Sequence, residues 1–353
     1  MSKSAFNVHL EELRLVVEAA LAEELARCVW PDSLKTAVEY SLMASGKRLR
    51  PVLVLLANEV CGGRQADAVS AACAIEMIHT YSLIHDDLPS MDDDDFRRGR
   101  LTSHKVFGEA LAILAGDSLL TLAFETIASA AIDSERICRL TRTLAIAAGG
   151  AGMAGGQVLD LEAERGTLVP GAGGQQKVES SDKSGFKTGG IAVERDMDPA
   201  GSAGFQQGRP SAFMNSSQND SNRTTQTRVD ELSRIHRMKT GTLIACALDM
   251  GAVCALAEEN SRTCLRCYGH CIGLAFQIAD DLLDVTGDQA RLGKKPGRDA
   301  DLGKLTYPGL LGIENSRAKA EELVHEACDA VDIFGYRSRW LKDLARFIVE
   351  RDH

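Results

Sequence analysis

The chain of 353 residues predicts an all-α fold, a large single-domain helical bundle, and three observations lead there. Aromatics supply only 5% of the residues and prolines number 8, while alanine and leucine, the strong helix formers, abound. Apolar residues recur at helical spacing through most of the chain. No strand-like alternation persists anywhere.

The elements follow in order. Residues 6–28 place Leu10, Leu13, Val17 and Leu21 on one side of a helix. Residues 33–45 form a second helix behind an Asp32/Ser33 cap candidate. Helices over 52–60 and 67–84 flank Gly62-Gly63, and 110–131 is a long apolar stretch that holds Asp117. A helix over 134–150 ends at Gly149-Gly150; the small pair Gly155-Gly156, ahead of Gln157 and Asp160, permits close backbone approach. From 166 to 228 the composition turns to Gly, Ser, Gln, Asn and Thr, without periodicity. Such a segment cannot bury enough surface to offset its ordering entropy, so it is expected to be a disordered low-complexity insertion. Helical pattern resumes at Val229, and Lys239-Thr240-Gly241 is predicted to interrupt it, exposing carbonyls beside an ammonium. Residues 287–307 form a basic loop with Lys294, Lys295, Arg298 and Lys304; 315–331 and 338–351 close the chain as helices.

The formal charge is 40 − 50 = −10, which argues against nucleic acid as a partner. The chain opens with no basic segment followed by an apolar one, and no run of about 18 apolar residues is evident. A cytoplasmic protein without stable membrane insertion is expected. The ten cysteines are then expected to be reduced thiols. Cys264, Cys267 and Cys271 suggest a metal set by spacing, but i, i+3, i+7 is also one packed helix face, and free Cys behaves as a small hydrophobe.

Two acidic stretches dominate the chemistry. An apolar helix from Ala71 to Ile84 delivers Asp86-Asp87, then Asp92 to Asp95, then Arg97, Arg98 and Arg100. His79, Ser82 and Asp86 share one helix face. Carboxylates about 4 Å apart repel by roughly 4 kcal/mol near a protein surface, so the cluster calls for cations. Far away in sequence, Gln277, Asp280, Asp281 and Asp284 repeat the arrangement. Two such helices face to face would make a cage of hard oxygen ligands suited to Mg²⁺, which takes one or two carboxylates and completes its shell with water and phosphates. A third stretch, Gly46-Lys47-Arg48-Leu49-Arg50-Pro51, is either a solvated basic turn or a clamp for a multiply charged anion. Ser41 and Arg48 exclude a nucleotide-type phosphate loop there. Acidic sites, basic clusters and an apolar bundle together imply a substrate with a diphosphate head and a greasy tail.

At these motifs the chain resembles the trans-isoprenyl diphosphate synthases, most closely bacterial farnesyl diphosphate synthases. The matching pieces are Gly46 to Pro51, Asp86-Asp87-x4-Asp92 with Arg97-Arg98, Gly156-Gln157-x2-Asp160, Lys239-Thr240-Gly241, Phe276-Gln277-x2-Asp280-Asp281-x2-Asp284, and Gly293-Lys294. The resemblance covers the chain apart from 166–228, where the family has a short connection. It implies that Asp86, Asp92 and Asp280 bind Mg²⁺ (or Mn²⁺) bridging an allylic diphosphate, supported by Asp87, Asp281 and Asp284. Arg97, Lys239 and Lys294 would contact that diphosphate. Lys47, Arg50, His79 and Arg98 would bind isopentenyl diphosphate. The allylic C–O bond would ionise as metal and cations stabilise the departing diphosphate. The Lys239 and Thr240 carbonyls and Gln277 would face the carbocation, and the released diphosphate would remove the last proton. The family suggests a homodimer. A class I terpene cyclase would lack the second basic site, and a non-catalytic synthase subunit would have lost an aspartate motif; this chain keeps both. Tyr81, with Ser82 beside it, lies five residues before Asp86, about 7.5 Å deeper along the helix. A phenol there would floor the tail cavity, so farnesyl diphosphate is the expected product and geranylgeranyl diphosphate the runner-up.

Overall fold

Residues 3–164, 216–286 and 304–350 are described in the computed structural model, and they are helical almost throughout. The amphipathic N-terminal segment forms α1 (Lys3–Arg27), followed by α2 (Asp32–Leu42), α3 (Leu49–Val60) and α4 (Gln65–Asp86). Next come α5 (Ser103–Phe107), α6 (Glu109–Ala128), α7 (Ser134–Ala148) and α8 (Met153–Glu164). The later part holds α9 (Ser216–His236), a π-helical turn (Arg237–Gly241), α10 (Thr242–Cys254) and α11 (Glu259–Thr286). It ends with α12 (Tyr307–Leu311), α13 (Ile313–Ala330), a 3₁₀ turn (Asp332–Ser338) and α14 (Arg339–Val349).

Helices α3, α4 and α10 each hold a continuous buried run, Pro51 to Asn58 in α3, which marks them as central. In α10 every residue from Leu243 to Cys254 is buried; in α4 the run Ala71 to Ile78 is buried, Glu76 included. α3 and α11 pack on α10, and α6 packs on α4. The chain divides into two compact units, Met1–Leu168 with Thr225–His353, and Val169–Thr224. In the second unit the described residues are the start of α9, from Ser216.

The structure departs from the sequence expectations at two places. Helix α9 starts at Ser216, so the C-terminal end of the 166–228 stretch is helical rather than disordered; residues 165–215 lie outside the described residues. A two-residue hairpin pairs Phe96–Arg97 with Arg100–Leu101. Its turn holds Arg98 (φ 54°) and Gly99 (φ 75°) in left-handed conformation, as such tight turns require, and strands this short leave no alternation to read. By length and composition two helical stretches among the described residues, α6 and Ser134–Glu164, could cross a membrane; Asp117 and Glu125 interrupt α6, so the expectation of no uninterrupted apolar run is not overturned by it.

Candidate active site

Helix α4 ends where its acidic motif begins. Pro89 disfavours helical conformation at the residue before it, Leu88, and the chain folds back: the Asp92 N–H donates to the Asp86 carbonyl at 2.9 Å. This return sets Asp92 beside the end of α4. Asp87 is buried and accepts from Arg97 Nε at 2.7 Å, so one carboxylate of the motif is already paired with the hairpin. Burial raises the Asp86 carboxyl to about 6; Lys239 and Arg97 pull it down, while Asp92 and Asp87 push it further up.

The second acidic motif lies on the last turns of α11. Its neighbours come from α8 and the π turn. Gly156 makes the approach possible: a Cβ there would stand 2.3 Å from the Lys239 backbone nitrogen. The sequence had marked both the small pair and the interrupted helix. Lys239 Nζ donates to Asp160 at 2.6 Å, and the Thr240 hydroxyl donates to Gln277 Oε1 at 2.7 Å. A cavity of about 200 Å³ opens here, lined among others by Asp160, His236, Lys239, Gln277, Asp280 and Lys304. Lys304 ties to Glu164 at 2.8 Å; burial alone would lower its ammonium, but Glu164, Asp92 and Asp160 raise it. The two acidic motifs therefore share cations: Lys239 acts on Asp86 and borders Asp280, and Lys304 acts on Asp92. Asp281 is buried and accepts the Tyr307 N–H at 2.9 Å, which anchors α12.

The basic side forms a separate cluster. Arg50 is lowered to about 10, by burial first; Glu76 and Asp280 counteract this and Arg98 adds to it. Its Nε is buried without a hydrogen-bond partner. His79 is held well below 6.5 by burial and by Arg50, Arg98, Arg97 and Arg48, so it is neutral at pH 7. Lys47 is exposed, and Lys294 lies outside the described residues. Tyr81 is half-buried and meets His85 edge-on, ring centres 5.8 Å apart. Ser82 turns its hydroxyl back to the His79 carbonyl at 2.9 Å. Sequence reasoning assigned no role to Asp160, Glu76, His236 or Lys304. Asp160 and Glu76 each carried a faint signal, as an acid that ends a quoted motif and the sole charge in an apolar run.

The donor set fits a hard dication. Asp86, Asp92, Gln277, Asp280 and Asp284 can offer oxygen ligands, and the Asp86 carboxyl is raised first by burial and then by the neighbouring Asp92 and Asp87, a burial and a like-charge repulsion that a bound cation would offset. Among the described residues no three carboxylate, imidazole or thiol groups converge on one metal position. Mg²⁺ does not need three, because water and phosphate oxygens complete its shell.

The polyprenyl synthetase family model matches residues 31–192 and 212–332. The farnesyl diphosphate synthase of Bacillus subtilis is 38% identical, over 98% of this chain and 97% of its own. A putative geranylgeranyl pyrophosphate synthase of Arabidopsis thaliana, the chloroplastic form 8, is 41% identical over 92% of this chain and 76% of its own. The crystal structure of a geranylgeranyl pyrophosphate synthetase from Pyrococcus horikoshii superposes with a TM-score of 0.76 at 26% identity, covering 99% of each chain. Acidic motifs that share their cations, a separate basic cluster and these likenesses converge: the chain belongs to the polyprenyl synthetase family and is a trans-prenyl diphosphate synthase, a prenyltransferase of isoprenoid biosynthesis.

Proposed function

We propose that this prenyltransferase condenses isopentenyl diphosphate head-to-tail with dimethylallyl and geranyl diphosphates and stops at farnesyl diphosphate. Tyr81 carries the product assignment. It lies on α4 five residues before Asp86, about 7.5 Å further back along the helix axis, and His85, one turn on, packs against its ring edge-on. A packed aromatic does not yield without strain, so it ends the room for a growing tail. Geranylgeranyl diphosphate is the second reading, favoured by the names of the Arabidopsis relatives. Chromatography of products decides: Tyr81→Ala should shift the chain toward twenty carbons or more. An unchanged product length would overturn the floor.

The chain's own residues divide the work. Lys239, positioned by Asp160, and Arg97, positioned by Asp87, face the allylic diphosphate; Lys294 joins them. Thr240 orients the Gln277 amide toward the reacting carbon. Lys47, Arg50, His79 and Arg98 receive isopentenyl diphosphate, with neutral His79 as a hydrogen-bonding rather than charged partner. Asp86, Asp92 and Asp280, with Asp87, Asp281 and Asp284 in support, would hold Mg²⁺ or Mn²⁺, which supplies Lewis-acid stabilisation of the leaving diphosphate.

The enzyme works as a homodimer in the cytoplasm. The half-exposed apolar face of α6, with Ile113 at 42% and Leu114 at 54% exposure, supports a second copy as its cover. Light scattering that finds a monomer at micromolar concentration would refute the dimer. Ten free thiols support a reducing compartment, which imaging of a tagged chain would check.

A further inference from the structure

Arg48 sits between two residues assigned to the isopentenyl diphosphate site, yet it points the other way. It is 3% exposed, while Lys47 beside it is exposed. Its backbone is left-handed (φ 48°, ψ 36°) at the start of α3, a conformation that costs a non-glycine residue energy and persists only when its surroundings enforce it. The enforcement is visible. One terminal nitrogen donates to Glu76 Oε1 at 2.8 Å. The other donates to the carbonyls of Leu42 at 2.8 Å and Ala44 at 2.9 Å. Glu76 is 2% exposed and lies on α4 one turn before His79. Its carboxylate also acts on Arg50 and Arg98. Gly46 completes the arrangement: a Cβ there would meet the Arg98 guanidinium at 2.5 Å, and Arg98 donates to the Ser45 carbonyl at 3.2 Å.

We infer that Glu76 and Arg48 are positioning residues for the second diphosphate site. The buried pair clamps the 44–50 loop to α4, and through that loop it sets Lys47 and Arg50 against His79 and Arg98. Glu76 is the anion around which three arginines from two separate segments gather, without touching substrate itself. This rests on the assignment of Lys47, Arg50, His79 and Arg98 to isopentenyl diphosphate.

The sign of one effect separates positioning from bulk electrostatics. Glu76→Gln removes an anion from beside an anion site, so electrostatics alone would lower the KM for isopentenyl diphosphate. Positioning demands the opposite. In steady-state kinetics of the full chain with Mg²⁺, Glu76→Gln should raise that KM about tenfold or more, the worth of a hydrogen bond between charged groups, and leave the KM for geranyl diphosphate within about twofold. Arg48→Met should do the same. Arg48→Lys keeps the charge and loses the planar fork, so it should fall between and remain foldable if the others are not. A KM for isopentenyl diphosphate that falls or stays put in Glu76→Gln, or is unchanged in Arg48→Lys, overturns the inference. So does an equal rise in both KM values, the mark of general damage. Lys47→Ala and Arg50→Ala control the premise: if neither raises the KM for isopentenyl diphosphate, the site assignment fails and takes the inference with it. If they raise it and the Arg48 and Glu76 variants do not, the inference alone fails.

Discussion

Gly156 is the point where a single methyl group should disable the enzyme. The Cβ of Gly156→Ala would lie 2.3 Å from the Lys239 nitrogen, 2.7 Å from its Cα and 2.7 Å from the Met238 carbonyl carbon. Ordinary contact begins at 3.4 Å, so α8 must retreat by about 3.4 − 2.3 = 1.1 Å. Backbone meets backbone here, and no side chain can swing aside. Overpacking of this kind costs about 1–3 kcal/mol of stability. The functional cost is larger, because Asp160 follows one turn later on the same helix and its 2.6 Å bond holds Lys239. Misplacing a group by about 1 Å can cost about 100-fold in rate. We expect kcat at saturating substrates to fall by about 10- to 100-fold, with the melting temperature lowered by a few degrees. Gly150→Ala is the control, since nothing lies within 4 Å of a Cβ there. A Gly156→Ala enzyme within about threefold of wild-type kcat would mean that the fit of α8 to the π turn does not set the position of Lys239.

Other outcomes follow from the same geometry. EDTA should abolish turnover and Mg²⁺ or Mn²⁺ restore it, and Asp86→Ala or Asp280→Ala should lower turnover by orders of magnitude with the helical circular dichroism intact; near-normal rates in EDTA would sink the metal assignment. Burial holds His236 at about 4 and His79 well below 6.5, so the unfolded state binds more protons as pH falls below 6.5. The stability this supplies is complete above pH 6.5 and lost on the way down to about 4. His236→Gln should therefore lose about 1–2 kcal/mol less than wild type between pH 7 and pH 5 in urea melts; equal losses would contradict it. Residues 193–211 fall outside the family match, so replacing them by a short Gly/Ser link should leave turnover largely intact, since loop closure costs only about 0.6 kcal/mol per doubling of length; loss of substrate binding would make the segment part of the site.

The helices of the first half were legible because each buries an apolar stripe or an apolar surround against its neighbours. The observed spans of α3, α4, α6 and α7 fall within a few residues of those read from periodicity. The aspartate motifs were legible for a different reason: repelling carboxylates clustered at the end of an apolar helix call for cations. The hairpin at 96–101 and the early start of α9 were not legible, one too short for a period and the other too polar for a stripe. Helix α9 from Ser216 carries almost nothing apolar before Val229, so composition alone argued against it.

The basic loop shows most sharply where reading by composition stops. Lys47, Arg48 and Arg50 are three cations in four positions, and nothing in their order ranks them. Arg48 is set apart by a left-handed backbone and by Glu76, which is 28 residues away along the chain. Glu76 is itself the lone charge in the buried run Ala71 to Ile78 of α4. A charge in such a place is tolerated only when paired, so it announces a partner without naming one. Of the three cations, the middle one can turn inward because its neighbours flank the start of α3 on either side of it. A buried charge is therefore best read together with the nearest crowded cluster of opposite sign. By that reasoning the cation that pairs with the buried charge positions the site, and its neighbours Lys47 and Arg50 are the ones assigned to meet a substrate.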